Sequence, residues 1–406
     1  MRRIGAVFGA LALVTTLSSC WVQPGYDAGH SSWNPHEQTL TSANVHLLTE
    51  LWDTPLPAAG FVQAPVSVGG AVYATAGGGG VAALDAATGA LRWSRRFEVP
   101  AGAPSFEAPA WHDGELLVPA AMGSPIPRGS LLRLDPTDGS TISGGDFAGP
   151  MALGVAVADD VPAVMHFQQG VAGGPVHVDW TYRVTNIASL FAPSRHFAVA
   201  GDRILWTWGP NAQGYSPACA PWPQQPPPDF GCAPDWTTSL AGGATLLSPA
   251  IVGTNEVVYV SNQGQLSVLD VATGAVQWSA SVDDAVQHAP AVADGVVLVA
   301  TAGASDGRLV ALPAGGCGAT TCEPLWEGSI GGTPSAPPVA AGDVAYVATT
   351  DGDVVAFALV GCGNPTCAPL ARVSAGNRIT GGPTVDQGRV IVGTQDGRLL
   401  AFGLPA

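Results

Sequence analysis

The stretch that decides the fold runs Ser248-Pro249-Ala250-Ile251-Val252, then Val257-Val258-Tyr259-Val260, Asn262-Gln263-Gly264, Leu266-Ser267-Val268-Leu269-Asp270, Ala272-Thr273-Gly274, and ends at Trp278. Four short apolar runs alternate with three turn signals. Runs of four or five residues rich in Val and Ile between Gly, Asn and Thr are strands rather than helices. The unit therefore predicts one antiparallel sheet of four strands joined by tight turns.

The same order recurs on both sides of it. Upstream it reads Ala64-Pro65-Val66, Val72-Tyr73-Ala74, Gly77 to Gly80, Val81-Ala82-Ala83-Leu84-Asp85, Thr88-Gly89 and Trp93. Ala108-Pro109, with Asp113-Gly114 and Leu132-Arg133-Leu134-Asp135, is another copy. Downstream copies open at Ala289-Pro290, Ala336-Pro337 and Gly382-Pro383, and Trp326 closes the first of these. The opening prolines Pro249, Pro290, Pro337 and Pro383 lie 41, 47 and 46 residues apart. Four strands per unit at that period are propeller blades. The expected fold is all-β, a propeller of about eight four-stranded blades, with seven as the fallback because residues 150–240 hold two weaker copies. The last copy lacks a fourth strand, and Leu48-Thr49-Glu50-Leu51-Trp52-Asp53 has its composition, with Trp52 in the place of Trp278. Closure of the ring by this N-terminal strand is expected, since it removes an open sheet edge.

Composition agrees. Among 406 residues there are 53 Gly and 35 Pro, which disfavours long helices. The formal charge is −16, and all 15 cationic side chains are Arg. A chain this acidic is a poor ligand for phosphate backbones, so no nucleic-acid partner is expected. With no Lys, Schiff-base and P-loop chemistry are excluded. Gly77 to Gly80 reads as a turn, for no helix follows to present its N-terminus to a phosphate.

Arg2 and Arg3, an apolar run from Ile4 to Leu17 and small residues before Cys20 form an export signal too short to span a bilayer. Leu17-Ser18-Ser19-Cys20 resembles the bacterial lipobox, whose cysteine receives a diacylglycerol. The expected organisation is a signal peptide over 1–19, a lipidated tether and lead-in over 20–46, and the propeller over 47–406. The expected location is extracytoplasmic and membrane-anchored. The other six cysteines form local pairs, Cys219/Cys232, Cys317/Cys322 and Cys362/Cys367. Even numbers of close cysteines in an exported chain imply disulfides, and none of the pairs has the two-residue spacing of zinc ligands. Each pair falls where other blades carry Thr-Gly, between third and fourth strands.

The repeats resemble the pyrroloquinoline quinone (PQQ)-like propeller family, whose tryptophan-docking motif reads Ala-x-Asp-x-x-Thr-Gly-x-x-x-Trp. Ala83, Asp85, Thr88, Gly89 and Trp93 match it fully, and Asp270, Thr273, Gly274 and Trp278 match with Val268 for Ala. The resemblance implies that these residues, with Trp52 and Trp326, lock neighbouring blades together. It also divides function in two. Quinoprotein dehydrogenases of the family carry a vicinal Cys-Cys over the cofactor and a calcium beside a catalytic Asp, whereas other members are cofactor-free scaffolds. No adjacent cysteines occur here. The expectation is a monomeric binding or scaffold module for an envelope protein or glycan, with no cofactor. The alternatives are a PQQ- and calcium-dependent oxidoreductase of the alcohol or sugar dehydrogenase type, and an adhesive carbohydrate-binding surface protein.

First strands of propeller blades line the central channel. The residues just before each opening Ala-Pro or its equivalent, Gln63, Glu107, Leu247, His288, Ser335 and Gly381, are therefore expected at one mouth of it. Glu107 and His288 are the pair most suited to converge on a cation or small polar ligand. His112-Asp113 in a turn and His177-Val178-Asp179 along a strand read as solvated side chains. The anchor is tested by Cys20→Ala, which should move the protein from the detergent phase to the soluble fraction on phase partitioning; unchanged partitioning would exclude lipidation at this residue.

Overall fold

The computed structural model of the chain describes residues 20–57, 60–98, 106–122, 128–146, 152–158, 161–167, 175–180, 183–188, 197–201, 203–215, 234–240, 245–303 and 306–405. Cys219, Cys232 and the 1–19 segment lie outside these residues. Blade 5 is the meander expected of the deciding stretch, with strands Ala250–Val252, Glu256–Val260, Gln265–Asp270 and Val276–Ser281 in that order. Seven further sheets of the same kind follow one another along the chain. The weak region supplies two of them, blade 3 from Ala152–Ala158, Val161–Phe167, Pro175–Trp180 and Arg183–Ala188, and blade 4 from Ala198–Ala200, Arg203–Trp208, Asn211–Tyr215 and Trp236–Ser239. Among the described residues the count is eight, and the seven-blade fallback falls away.

Each first strand contacts the first strands of the two neighbouring blades, and that of blade 8, Ile379–Asp386, contacts that of blade 1, Val66–Val68, so the ring is closed. The chain seals it as the sequence suggests. Thr49–Pro55 pairs antiparallel with Arg398–Gly403 and supplies the fourth strand of blade 8.

The core is a series of layers between blades. In blade 5, Val257 and Tyr259 pack toward blade 4, while Val258 and Val260 pack toward blade 6. Alternate side chains point to opposite faces of a strand, so a sheet flanked on both sides needs apolar residues at every position. This accounts for the unbroken apolar runs of the second and third strands. Fourth strands, at the rim, alternate instead, as Val276–Ser281 does.

Neighbouring blades are keyed by an indole set over a glycine. The Nε1–H of Trp52, in blade 8, donates to the Ala86 carbonyl of blade 1 at 3.1 Å, and Thr54 donates to the Gly89 carbonyl at 2.8 Å. Trp93 donates to Pro136 of blade 2, Trp236 to Val271 of blade 5 and Trp326 to Leu359 of blade 7. A Cβ at Gly89, Gly139, Gly274 or Gly361 would strike the preceding blade's indole. These glycines also have positive φ, 68° at Gly89 and 71° at Gly274. Asp85 and Asp270 shape the turns by accepting from the backbone and hydroxyl of Thr88 and Thr273. Arg92 and the Thr88 hydroxyl hold the Asp85 carboxyl down at about 2. Opposite each indole the sheet carries a smaller residue, Ala83 under Trp93 and Val268 under Trp278. Trp278 lies over Gly316 of blade 6, and its buried Nε1–H has no partner among the described residues.

Cys317–Cys322 and Cys362–Cys367 are disulfides. Their loops reach across the blade boundary. Ser279 of blade 5 donates to Thr320 and accepts from Cys322, and Glu327 of blade 6 donates to Pro365 and accepts from Cys367. Each loop thus pairs with the outer strand of the preceding blade, in parallel register, covering an edge that would otherwise be open.

Gly253 and Gly274 lie in one blade and both have positive φ, but an added Cβ meets nothing within 4 Å at Gly253 and the Trp236 indole at Gly274. Alanine should cost about 1–2 kcal/mol at Gly253 from backbone strain alone and about 1–3 kcal/mol more at Gly274 from the displaced indole. Urea midpoints of the two variants measure the difference; equal losses would show that the indole contact contributes nothing.

Candidate functional site

First strands present one free edge each to the central channel, and an unpaired backbone N–H there needs an acceptor. Residues 21–34 supply it in chain order. The Ser67 N–H donates to the Trp21 carbonyl at 2.9 Å and Trp111 N–H to Val22 at 2.7 Å. Val157 N–H donates to the Gln23 side-chain oxygen at 2.6 Å, and Gln23 Nε2 donates back to Val157 at 3.1 Å. Val199, Ile251, Val292 and Ala340 donate to Ala28, Gly29, Ser31 and Ser32 at 2.7–2.9 Å. In blade 8 the Val385 carbonyl accepts from Asn34 Nδ2 at 2.9 Å. The segment therefore circles the inside of the ring once and touches every blade. So tight a path needs unusual backbone, and Tyr26, His30 and Ser32 have φ of 72°, 54° and 53°. Gly29 is required for another reason, because a Cβ there would collide with Ile251.

This segment divides the channel. His30 and Ser32 line one side, in a cavity of about 270 Å³, while Gly29, Ser31 and Trp33 line a recess of about 930 Å³ on the other. The smaller cavity gathers Gln63, Glu107, His288, Ser335 and Gly381, five of the six positions expected at the channel mouth. Leu247 is not among them; it packs into the layer between blades 5 and 6. Trp21, His30 and Ser32 were not anticipated from the sequence. Gln63 Nε2 lies 3.4 Å from Glu107 Oε2 and 3.1 Å from the Phe106 carbonyl. His288 Nε2 lies 3.2 Å from the Pro334 carbonyl, which can only accept, so that nitrogen carries the proton and Nδ1 is left as an acceptor. Burial pushes the imidazole toward its neutral form against the Pro334 hydrogen bond, and the Arg378 charge adds to that push. Ser335 Oγ is buried without a partner among the described residues. The cavity's polar lining is Gln63, Glu107, His30, His288 and the hydroxyls of Ser32, Ser335 and Thr380, with no arginine among the described residues there.

The family model described as "Outer membrane protein assembly factor BamB" matches residues 38–152 and 195–404. The chain belongs to the PQQ-like propeller family. Among solved structures, the fold is similar to the quinohemoprotein alcohol dehydrogenase of Comamonas testosteroni, at 13% identity and a TM-score of 0.68 over 97% of this chain and 81% of that one. It is also similar to a europium-containing methanol dehydrogenase, at 12% identity and a TM-score of 0.70 over 96% and 99% of the two chains. A computationally designed protein, Ika8, matches at 14% identity and a TM-score of 0.62 over 87% and 99%. At such identities the likeness is one of fold. No curated protein sequence matches the chain.

The family's dehydrogenase branch raises the question of its cofactor. PQQ is a flat tricarboxylic acid, so a site for it needs cations or clustered donors, and the calcium beside it needs several oxygen ligands. The described residues of the cavity set the Glu107 carboxylate there, with Gln63 and the hydroxyls of Ser32, Ser335 and Thr380 as neutral donors and no arginine. No group of three or more His, Cys, Asp or Glu side chains able to hold a metal occurs among the described residues. The described residues of the cavity therefore supply a carboxylate and no arginine to balance the cofactor's three carboxylates, and do not fit it.

Where the encircling segment meets blade 8, Asp386 is buried, accepts from Ser67 Oγ at 2.7 Å and lies near the Glu37 carboxylate. Glu37 itself accepts from the Thr39, Leu40 and Gly388 N–H groups. Burial, with the Glu37 charge, pushes the Asp386 carboxyl up to about 6 despite the Ser67 hydrogen bond. The folded state then holds its proton more tightly than the unfolded state. The contribution is greatest below the ordinary carboxylate range, near pH 4, falls as pH rises to 6 and stays low above it. Asp386→Asn should remove this slope and stabilise the protein above pH 6 by up to about 3 kcal/mol at ~1.4 kcal/mol per pK unit. Urea titrations at pH 4, 5, 6 and 7 test it; parallel curves for parent and variant would mean that Asp386 keeps an ordinary affinity for its proton.

Proposed function

We propose that this chain is a lipid-anchored binding platform of the cell envelope, holding an envelope protein or glycan on a rigid ring, and not a PQQ-dependent oxidoreductase. The observation that carries the reading is the channel lining. A segment hydrogen-bonded to all eight blades occupies the channel, and the cavity left beside it presents a carboxylate and, among the described residues, no arginine where a triacid would need cations. A ring keyed by indoles and clasped by disulfide loops loses little conformational entropy on binding, which suits recognition by preformed loops. The family model's description names an assembly factor of the outer membrane, which favours a partner protein in the envelope.

Thermal melting with PQQ and calcium separates the two readings, because a ligand bound only by the native state must raise the midpoint. No shift is expected at concentrations up to a hundredfold above the protein. A saturable rise, with alcohol-dependent dye reduction, would replace the platform by an enzyme. Crosslinking in intact cells should yield a discrete envelope partner.

A further inference from the structure

The distance between Cys20 and the ring is the shortest possible. Trp21 is the next residue, and both its N–H and its carbonyl are already bonded to Ser67 in the first strand of blade 1, at 3.0 and 2.9 Å. A trans peptide separates the two Cα atoms by only about 3.8 Å. Cys20 is buried in one cluster with Val66, Val68 and Ala71 of blade 1, which places it at the Gly69–Gly70 turn between first and second strands. A Cβ at Gly69 would meet nothing within 4 Å, so the turn opens on free space. Arg92 donates to the Gly70 carbonyl and sets a guanidinium at the same turn.

First strands surround the central axis, so Cys20 lies near the axis and not at the perimeter. A ring held at its perimeter could stand on edge, whereas one held near its axis with no linker must lie with one face level against the surface that holds it. That face carries the turns between first and second strands. It includes Gly253-Thr254, Asp294-Gly295 and the apolar recess bordered by Tyr26, Trp33 and Ile251. Tyr26 packs edge-on against Trp21, with ring centroids 5.2 Å apart, so the recess begins one side chain from the anchor. Tyr26 and Trp33, half-buried at the border of the recess, are side chains of the type that suits headgroup depth.

We infer that the propeller lies flat on the bilayer through the face of its first-to-second strand turns, with the Cys20 lipid leaving beside the axis and the opposite, cavity-bearing face turned away from the membrane. This rests on the anchored reading given above. The exposed Asp113 and Asp294 on the apposed face would be repelled by anionic lipid, so the acyl chains supply the affinity and the short tether the orientation. The partner surface is then zwitterionic lipid, and the face with Gln63, Glu107 and His288 is the one open to an envelope protein.

Thr254 and Gln263 are exposed turn residues at opposite ends of blade 5. The lipidated full-length mature protein, carrying Thr254→Cys or Gln263→Cys with a fluorophore, is reconstituted on phosphatidylcholine vesicles bearing a headgroup-linked energy acceptor. Transfer should be several-fold more efficient from position 254 than from 263. A 20-residue Gly/Ser linker inserted between Cys20 and Trp21 should bring the two values together. Flotation is read on the same samples. A protein that does not float overturns the anchor and the orientation with it. A floating protein with equal or inverted transfer overturns the orientation alone.

Discussion

A four-stranded sheet with apolar residues on both faces cannot be stable by itself; it has to stand between two others. Every blade of this ring meets that condition only because the last one does, through Thr49–Pro55 pairing with Arg398–Gly403. The layer between blades 8 and 1, with Trp52, Val72, Leu84 and Ile391, exists only in the closed ring. The contact that sets the angle between neighbours is the indole over the docking-turn glycine, which recurs at four boundaries with its Nε1–H bonded to a carbonyl of the next blade.

Closure solves the problem of the faces and leaves that of the inner edges. Eight strands converge on one axis with their edge amides pointing into the channel. Water could satisfy them, so the net gain from each protein acceptor is only about 0.5–1.5 kcal/mol. The consequence for the site is larger than that energy. By threading past every blade, residues 21–34 turn a channel into a cavity with a floor of Trp21, His30 and Ser32 and an apolar recess behind it.

The blades were legible where turn chemistry and periodicity coincide. Thr88-Gly89 with Trp93 and Thr273-Gly274 with Trp278 announce a turn, a left-handed glycine and the side chain that needs it bare. Blades 3 and 4 were hard to read because they lack that motif, and only Ala198–Ala200 with the following strand stood out. The channel-mouth positions were legible because the opening proline marks the same point in each repeat. Leu247 departs from its equivalents because an apolar side chain gains more between two sheets than in a polar channel. The path of Gln23 to Ser32 was not legible at all. Polar, Gly-containing and aperiodic, it reads as a tether, and its conformation is imposed by donors on eight separate strands.

Amide-resolved hydrogen exchange of the mature chain tests this encircling path most directly. The channel-facing N–H groups of Ser67, Trp111, Val199, Ile251, Val292 and Ala340 bond only to residues 21–32. They should exchange as slowly as the interior amides of second strands such as Glu256–Val260, and deleting residues 21–34 should expose all of them together. Rapid exchange at these amides in the intact chain, with second strands still protected, would contradict it.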